Sequence, residues 1–411
     1  MPAPMGDEMR LWQVRNPGPL SQTLTLTTAP SPSRDVEKGK VLVEIAVVGL
    51  NPADYKLAEA GFVARLQLPF PKTLGTDFSG RAIAVGSDIT DIKPGDNVFG
   101  RMFPFNSAGS LSEYVIASYD DVAVISETVT LEQAAGAPTV AQTAYQTLAP
   151  VVKAGDKVFI NGGSGGAGTF CIQIAKALGC HVTVSCSTTK VALCQELGVD
   201  EVMDYKKTDI LAALQSGGNK YAVAIDNVGN LNLFGSADKF LLPGGLFRLV
   251  GAPSSLSTAW NLGYNLLSSK YLPAFLNGNK NTFNAYVTKN SHEDLAQVAT
   301  LMAEGKVRTV VDSVFPFSEV LKACQRLGTG SSTGKVSVHR CPFTAFTAFT
   351  AFTVFTVFTA FTAFTAFTAF TAFTAFTAFT AFTVFTAFTV FTAFTVFTAF
   401  TVFTVFTAQQ F

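Results

Sequence analysis

The sequence predicts an α/β chain in which a β-rich, barrel-like domain precedes a doubly wound parallel sheet, with a low-complexity tail at the end. Three observations carry this reading. Up to about residue 125, short β-prone runs follow one another between Gly and Pro turns with no helical stretch between them, the pattern of an antiparallel domain. From Leu131 onward, apolar strands alternate with helical stretches, as they do in a parallel sheet covered by helices on both faces. From Phe343 to Phe411 the chain repeats Phe-Thr-Ala or Phe-Thr-Val and ends Ala408-Gln409-Gln410-Phe411.

The elements follow in order. Lys40 to Val48 reads as a buried strand and Asp77 to Val85 as another. Lys93-Pro94-Gly95-Asp96 is a tight turn feeding a strand over Asn97 to Gly100, and Leu111 to Ala117 is a further strand. Leu131 to Leu148, rich in Ala and Gln, suits helices broken at Pro138. Strands at Lys157–Asn161, His181–Ser185, Glu201–Asp204, Val223–Asp226 and Leu246–Val250 then alternate with helices. Those helices cover Gly166–Leu178, Thr188–Leu197, Asp209–Gln215 and Leu233–Leu241. After about residue 280 come a strand (Phe283–Val287), a helix (His292–Glu304), a strand (Val307–Val314), a helix (Phe317–Leu327) and the strand Lys335–His339. These are expected to return to the first domain. The expected division is therefore 1–126, 127–280, 281–341 and a tail over 342–411.

Composition excludes several classes of function. The chain of 411 residues carries 29 basic and 29 acidic side chains, so it has no electrostatic footprint for nucleic acid or an anionic membrane. The cysteines Cys171, Cys180, Cys186, Cys194, Cys324 and Cys341 form no CxxC pair. That argues against zinc knuckles and a secreted disulfide framework, and for a reducing compartment. Met1 to Pro19 has no apolar core and is not a convincing Arg- and Ser-rich leader. A cytoplasmic protein is expected, ahead of a mitochondrial one.

One motif carries chemistry. Asn161-Gly162-Gly163-Ser164-Gly165-Gly166-Ala167-Gly168 satisfies GxGxxG at 163, 165 and 168, and stands where the sheet's first strand meets its first helix. Glycines there permit the sharp turn and let backbone N–H groups approach a pyrophosphate at the helix N-terminus. The choice of dinucleotide falls at the end of the next strand, where an acid would bind the ribose 2′-hydroxyl of NAD. Ser187 stands there, within Cys186-Ser187-Thr188-Thr189-Lys190. Hydroxyls and a lysine suit a 2′-phosphate, so NADPH is expected. Ser187 also suits the cap of the following helix.

These residues carry a family likeness. The span from about 10 to 340 resembles the zinc-independent branch of the medium-chain dehydrogenase/reductases, of the quinone oxidoreductase and fungal enoyl reductase kinds. The resemblance rests on Asn51-Pro52-Ala53-Asp54, Leu74 to Gly80, Lys93 to Asp96, Thr143-Ala144-Tyr145, the glycine run, Met203-Asp204-Tyr205, Asp226 to Gly229 and Gly334-Lys335-Val336. It implies a GroES-like substrate domain built from both chain ends with a Rossmann domain inserted. Zinc-dependent relatives place Cys where Asn51 to Asp54 stands, and Gly-His-Glu where Gly75-Thr76-Asp77 stands. Here the only histidines are His181, His292 and His339, so no catalytic zinc is expected. The likeness implies hydride transfer from NADPH to a quinone or an α,β-unsaturated carbonyl. A trans-acting enoyl reductase of polyketide synthesis and a non-catalytic NADPH-binding regulator are the alternatives.

By the same likeness, Ser164, Gly165, Gly166 and Ala167 resemble the pyrophosphate contacts, and Ser187, Lys190 and Tyr205 the group around the adenosine ribose. Tyr205 also reads as packing at a sheet edge. Thr143, Asn227 and Val228 match positions beside the nicotinamide, and Gly251 and Lys335 lie near the cofactor in similar chains. The catalytic candidates are Asn51 facing the nicotinamide, Tyr55 as proton donor and Lys56 polarising a carbonyl. Asn51-Pro52 equally reads as a helix start, with Asp54 stabilising its first turn. The tyrosine of mitochondrial enoyl thioester reductases has no counterpart in Gly61-Phe62-Val63. Trp260 to Leu276 is expected to wall the pocket or to form an oligomer contact, such as a homodimer.

The tail holds 23 of the 38 phenylalanines and no charge. Period three fits neither a strand face nor a helical stripe. Strict repetition with only Ala/Val exchange reads as a three-codon DNA repeat, hence a read-through or gene-model artefact. If expressed, such a segment is an aggregation hazard, and it is the one stretch that suggests membrane contact.

Overall fold

The computed structural model describes residues 5–218, 220–251 and 282–340, and strand segments between 347 and 408. The first part of the chain runs β1 (Glu8–Val14), α1 (Leu20–Thr23), β2 (Leu24–Pro30), β3 (Lys40–Leu50), α2 (Pro52–Glu59), α3 (Phe62–Gln67), β4 (Lys72–Thr73), β5 (Asp77–Val85), β6 (Asn97–Arg101), β7 (Tyr114–Ser118) and β8 (Val122–Val124). Long β3 is apolar on both faces and pairs antiparallel with β5 (Val48 opposite Phe78) and with β7. The run β3-β5-β6-β8 forms most of one sheet, and β2-β1-β4 forms a second. The expected strand over Leu111–Ala117 begins only at Tyr114. Leu111 instead donates its N–H to Leu74 O at 2.8 Å, and the Ser112 hydroxyl donates to backbone carbonyls of Gly109 and Tyr114.

The second part runs α4 (Leu131–Ala135), α5 (Pro138–Leu148), β9 (Lys157–Asn161), α6 (Gly166–Ala177), β10 (His181–Cys186), α7 (Val191–Glu196), β11 (Glu201–Asp204), α8 (Ile210–Ser216), β12 (Tyr221–Asp226), α9 (Leu231–Gly235), β13 (Leu241–Leu249) and β14 (Thr282–Ala285). Pro138 occupies the first turn of α5, where its missing N–H costs nothing. The strands are all parallel in the order β11-β10-β9-β12-β13-β14. Strand order reverses between β9 and β12, which opens a crevice at their C-terminal ends.

The structure redraws further expected elements here. Thr188–Lys190 is a separate 3₁₀ turn ahead of α7. The helix expected over Leu233–Leu241 stops early, and Leu241 opens β13 opposite Tyr221. The strand around Phe283 pairs parallel with β13, Phe247 opposite Phe283, and the Phe283 ring packs 4.6 Å from Phe234. It is the sixth strand of the parallel sheet, so the return to the first domain starts later.

After α10 (His292–Ala303), β15 (Val311–Pro316), α11 (Val320–Gly328) and β16 (Lys335–His339) complete the described chain up to Arg340. Val307 and Val310, expected within a strand, are buried in the core around β9 and α5 instead, so β15 begins at Val311. β16 pairs antiparallel with β3, Val338 opposite Val48, and parallel with β15. Both chain ends therefore build the first sheet. The segment Trp260 to Leu276 lies outside the described residues. In the tail, strands pair in parallel with Phe370 opposite Phe388 and Phe388 opposite Phe406. The partners are spaced by whole multiples of the three-residue repeat, so Phe stands opposite Phe, Thr opposite Thr, and Ala or Val opposite either.

Candidate active site

The glycine run forms the turn from β9 into α6. A Cβ on Gly168 would lie 2.1 Å from Gly162 O, so only glycine lets the helix approach the strand this closely. Helix α6 starts at Gly166 with no side-chain cap. Its first-turn N–H groups are thereby left to an anion, and a dinucleotide pyrophosphate fits that arrangement. Gly334 N donates to Ser164 O at 3.2 Å, and Gly334 bridges to Gly165. Gly334 has φ +79°, and a Cβ there would strike Val310 O at 2.1 Å, so glycine is needed where the return segment meets the cradle.

Beneath the cradle lies a buried polar network at the reversal of strand order. Asn161 Nδ2 donates to Asp226 Oδ1 at 2.8 Å, and the Ser185 hydroxyl donates to Asn161 Oδ1 at 2.5 Å. Asp226 Oδ1 also accepts from the N–H groups of Val228 and Gly229 at 3.0 and 3.1 Å. Burial pushes the Asp226 carboxyl above its ordinary value, with Asn161 and the backbone donors opposing. The network shapes the loop that carries Asn227 and Val228. Asn227 donates to Asn161 O at 3.2 Å, and Gly251 donates to Asp226 O at 3.1 Å. Val228 is exposed at the strand end, whereas Thr143 is buried on α5, its hydroxyl donating to Thr139 O.

The residues expected around the ribose stand at the ends of β10 and β11. Ser187 precedes the 3₁₀ turn and Lys190 ends it, and Tyr205 N donates to Cys186 O at 3.1 Å. The Tyr205 ring is half exposed.

The catalytic candidates separate. At the start of α2, Asn51 N donates to Asp54 Oδ2 at 2.7 Å, so the helix-start reading of this segment describes the backbone. The Asn51 side chain turns inward. Its Nδ2 donates to Thr76 Oγ1 at 2.9 Å and Asp77 Oδ2 at 2.8 Å, while Oδ1 accepts from Lys335 Nζ at 2.6 Å. Lys335 also pairs with Asp77 at 3.3 Å, both side chains being almost wholly buried. Asp77 further accepts from Thr139 N at 3.0 Å and from the Thr139 hydroxyl. Arg101 Nε donates to that hydroxyl at 3.0 Å, and its guanidinium reaches Asn290. Tyr55 packs against the first-domain core, and Lys56 is exposed; no hydrogen bond joins either to this network.

Two further groups titrate abnormally nearby. Burial pushes the Asp54 carboxyl up to about 7; Asn51 N–H and Lys335 oppose this and Asp77 adds to it. Burial lowers the Lys72 amine to about 8, against the pull of Asp54, and that amine donates to Asn106 O. Sequence reasoning singled out neither Lys72 nor Arg101, because a lone basic residue in a β-rich stretch carries no motif. Asp77 and Asp226 stand within the motifs Gly75-Thr76-Asp77 and Asp226-Asn227-Val228-Gly229.

Comparison with known proteins bears on this arrangement. Residues 37–127 match the model of the alcohol dehydrogenase GroES-like domain, and 197–338 match that of zinc-binding dehydrogenases. The chain is 39% identical over 344 residues to the trans-enoyl reductase pgmF of Aspergillus terreus, covering 80% of this chain and 96% of that protein. It is 30% identical to the chloroplastic quinone-oxidoreductase QR1 of Triphysaria versicolor, covering 75% of this chain and 91% of the relative. The structure of the quinone oxidoreductase from Coxiella burnetii superposes with TM-score 0.68 at 30% identity, covering 81% of this chain and all of that one. Zinc does not fit the residues present: Asn51 and Asp77 are hydrogen-bonded to each other and both contact the Lys335 ammonium, and no cluster of three metal-binding side chains occurs among the described residues. A GroES-like domain closed by both chain ends, a six-stranded parallel sheet and an uncapped glycine cradle thus coincide with full-length relatives, and the chain belongs to the medium-chain dehydrogenase/reductase family of nicotinamide-dependent oxidoreductases.

Proposed function

We propose that the protein is an NADPH-dependent, metal-free reductase that delivers hydride to a quinone or an α,β-unsaturated carbonyl. The observation that carries this reading is the union of two sites through one segment. Gly334 docks on the cradle at Ser164 and Gly165, while the next residue, Lys335, places its ammonium on Asn51 and Asp77. Cofactor loop and polar cluster are thereby held in fixed relation, as hydride transfer requires.

The cofactor, when bound, supplies the hydride. The first-turn N–H groups of Gly166 and Ala167 hold the pyrophosphate, and Ser187, Lys190 and Tyr205 receive the phosphorylated ribose. Thr143, Asn227 and Val228 bound the nicotinamide end, with Gly251 packed beneath that loop. Lys335 and Asp77 orient the Asn51 amide. Tyr55 holds its proton at neutral pH, since burial, then Glu59 and Cys324, push its hydroxyl above the ordinary phenol value. It is the proposed proton source, with Lys56 the group that polarises the carbonyl.

A panel of quinones and enones with NADPH and with NADH tests the proposal. Acceptor-dependent NADPH oxidation, unaffected by chelators, is expected. Cofactor binding without oxidation by any acceptor would leave a nucleotide-binding regulator instead. Enoyl reduction on a separately supplied substrate is the second reading. It is favoured by the 39% identity to a trans-enoyl reductase and by Asn51-Pro52-Ala53-Asp54-Tyr55-Lys56, and faster turnover of enoyl thioesters than of quinones would select it.

A further inference from the structure

The acid absent from the end of β10 has a neighbour one strand away. β10 and β11 run parallel with Cys186 opposite Asp204, so the Asp204 carboxylate stands beside the position from which an acid would bind an unphosphorylated ribose. Yet Asp204 faces the protein. Its Oδ2 accepts from the Thr188 hydroxyl at 2.6 Å, and its Oδ1 accepts from Lys206 N at 3.0 Å. The Lys207 ammonium lies 3.8 Å from Oδ2, and the Asp204 side chain is only 13% exposed. The Thr188 hydrogen bond, then the Lys206 N–H and the ammonium groups of Lys207 and Lys206, hold its carboxyl below the usual carboxylate range. The surrounding surface is basic. Lys206 lies 5.5 Å over the exposed Tyr205 ring, and Lys190 closes the other side of the Thr188 turn.

We propose that the Thr188–Asp204 hydrogen bond is the latch that decides between the two nicotinamide cofactors. Closed, it keeps the carboxylate off the ribose and holds the turn so that a 2′-phosphate sits among Ser187, Lys190 and Lys206. Open, it frees Asp204 to accept from a 2′-hydroxyl and to repel a 2′-phosphate. Asp204 is thus a positioning residue, and Lys206 a direct phosphate ligand. The inference rests on the NADPH reading and goes beyond it, since a lone acid in this place would by itself argue for NADH.

The test is fluorescence titration of the full chain with NADPH and NADH. Thr188→Val should lose about tenfold or more in NADPH affinity while NADH affinity holds or rises. Adding Asp204→Asn to Thr188→Val should restore most of the NADPH affinity, a rescue that a merely structural role would not produce. Lys206→Ala should weaken NADPH about tenfold and leave NADH unchanged. Equal loss for both cofactors in Thr188→Val, or a double variant no better than the single, would overturn the latch. A wild-type chain that prefers NADH would instead refute the cofactor reading itself, before any variant is made.

Discussion

Asp54 makes the structure testable by pH. Its carboxyl is buried at the first turn of α2, and burial raises it from 3.8 to about 7. Between those values the folded chain holds a proton that the unfolded chain has released. The folded state then binds more protons than the unfolded one, so this group's contribution to stability falls as pH rises, and it levels off above about 7. The rise from 3.8 to about 7 corresponds to about 4 kcal/mol, lost at about 1.4 kcal/mol per pH unit. Asp54→Asn keeps the shape and removes the titration. Urea unfolding of both proteins between about pH 5 and about pH 8 should show the variant gaining on wild type up to about pH 7 and then running parallel. Curves that run parallel throughout, or a variant that loses ground as pH rises, would refute the reasoning.

Other outcomes follow from the same geometry. Lys335→Met leaves the Asp77 carboxylate buried without its cation and should destabilise the protein by about 3–5 kcal/mol, read as a lower denaturation midpoint together with lost turnover. Gly168→Ala drives a methyl into the Gly162 carbonyl and should abolish cofactor binding in a fluorescence titration. Lys190→Glu should weaken NADPH far more than NADH, with equal loss for both counting against its place at the phosphate. Tyr55→Phe should lower turnover of enones with little change in NADPH affinity, and unchanged rates would remove Tyr55 from the mechanism.

The elements that sequence placed well are those with strong local punctuation. The break at Pro138 and the strand-turn-helix from Lys157 into α6 are written in proline and glycine, and the strand over Asp77–Val85 lies between Gly75 and Gly86. Elements set by distant partners were harder to read. Residues around Val307 have β-type side chains but bury in another core, and the strand at Phe283 joins whichever sheet offers it an edge. β1 buries only Leu11 and Val14 and β2 no side chain, so neither has an inner face to mark it, and the Leu24-Thr25-Leu26-Thr27 alternation of β2 is the signal that could have found it.

The order of residues is enough to read the succession of a β-rich domain and a parallel sheet, the phosphate cradle, and the lack of an acid after β10. Those features depend on backbone geometry and periodicity, which neighbouring residues dictate. Folding makes Asn51 a node held by Asp77 and Lys335, partners 26 and 284 positions away. It alone turned Asp204 toward Thr188 and joined Lys335 to the cradle through Gly334. A side chain's direction and charge state follow from burial and from the groups that folding brings beside it, and these are contacts between residues that the order of the chain keeps far apart.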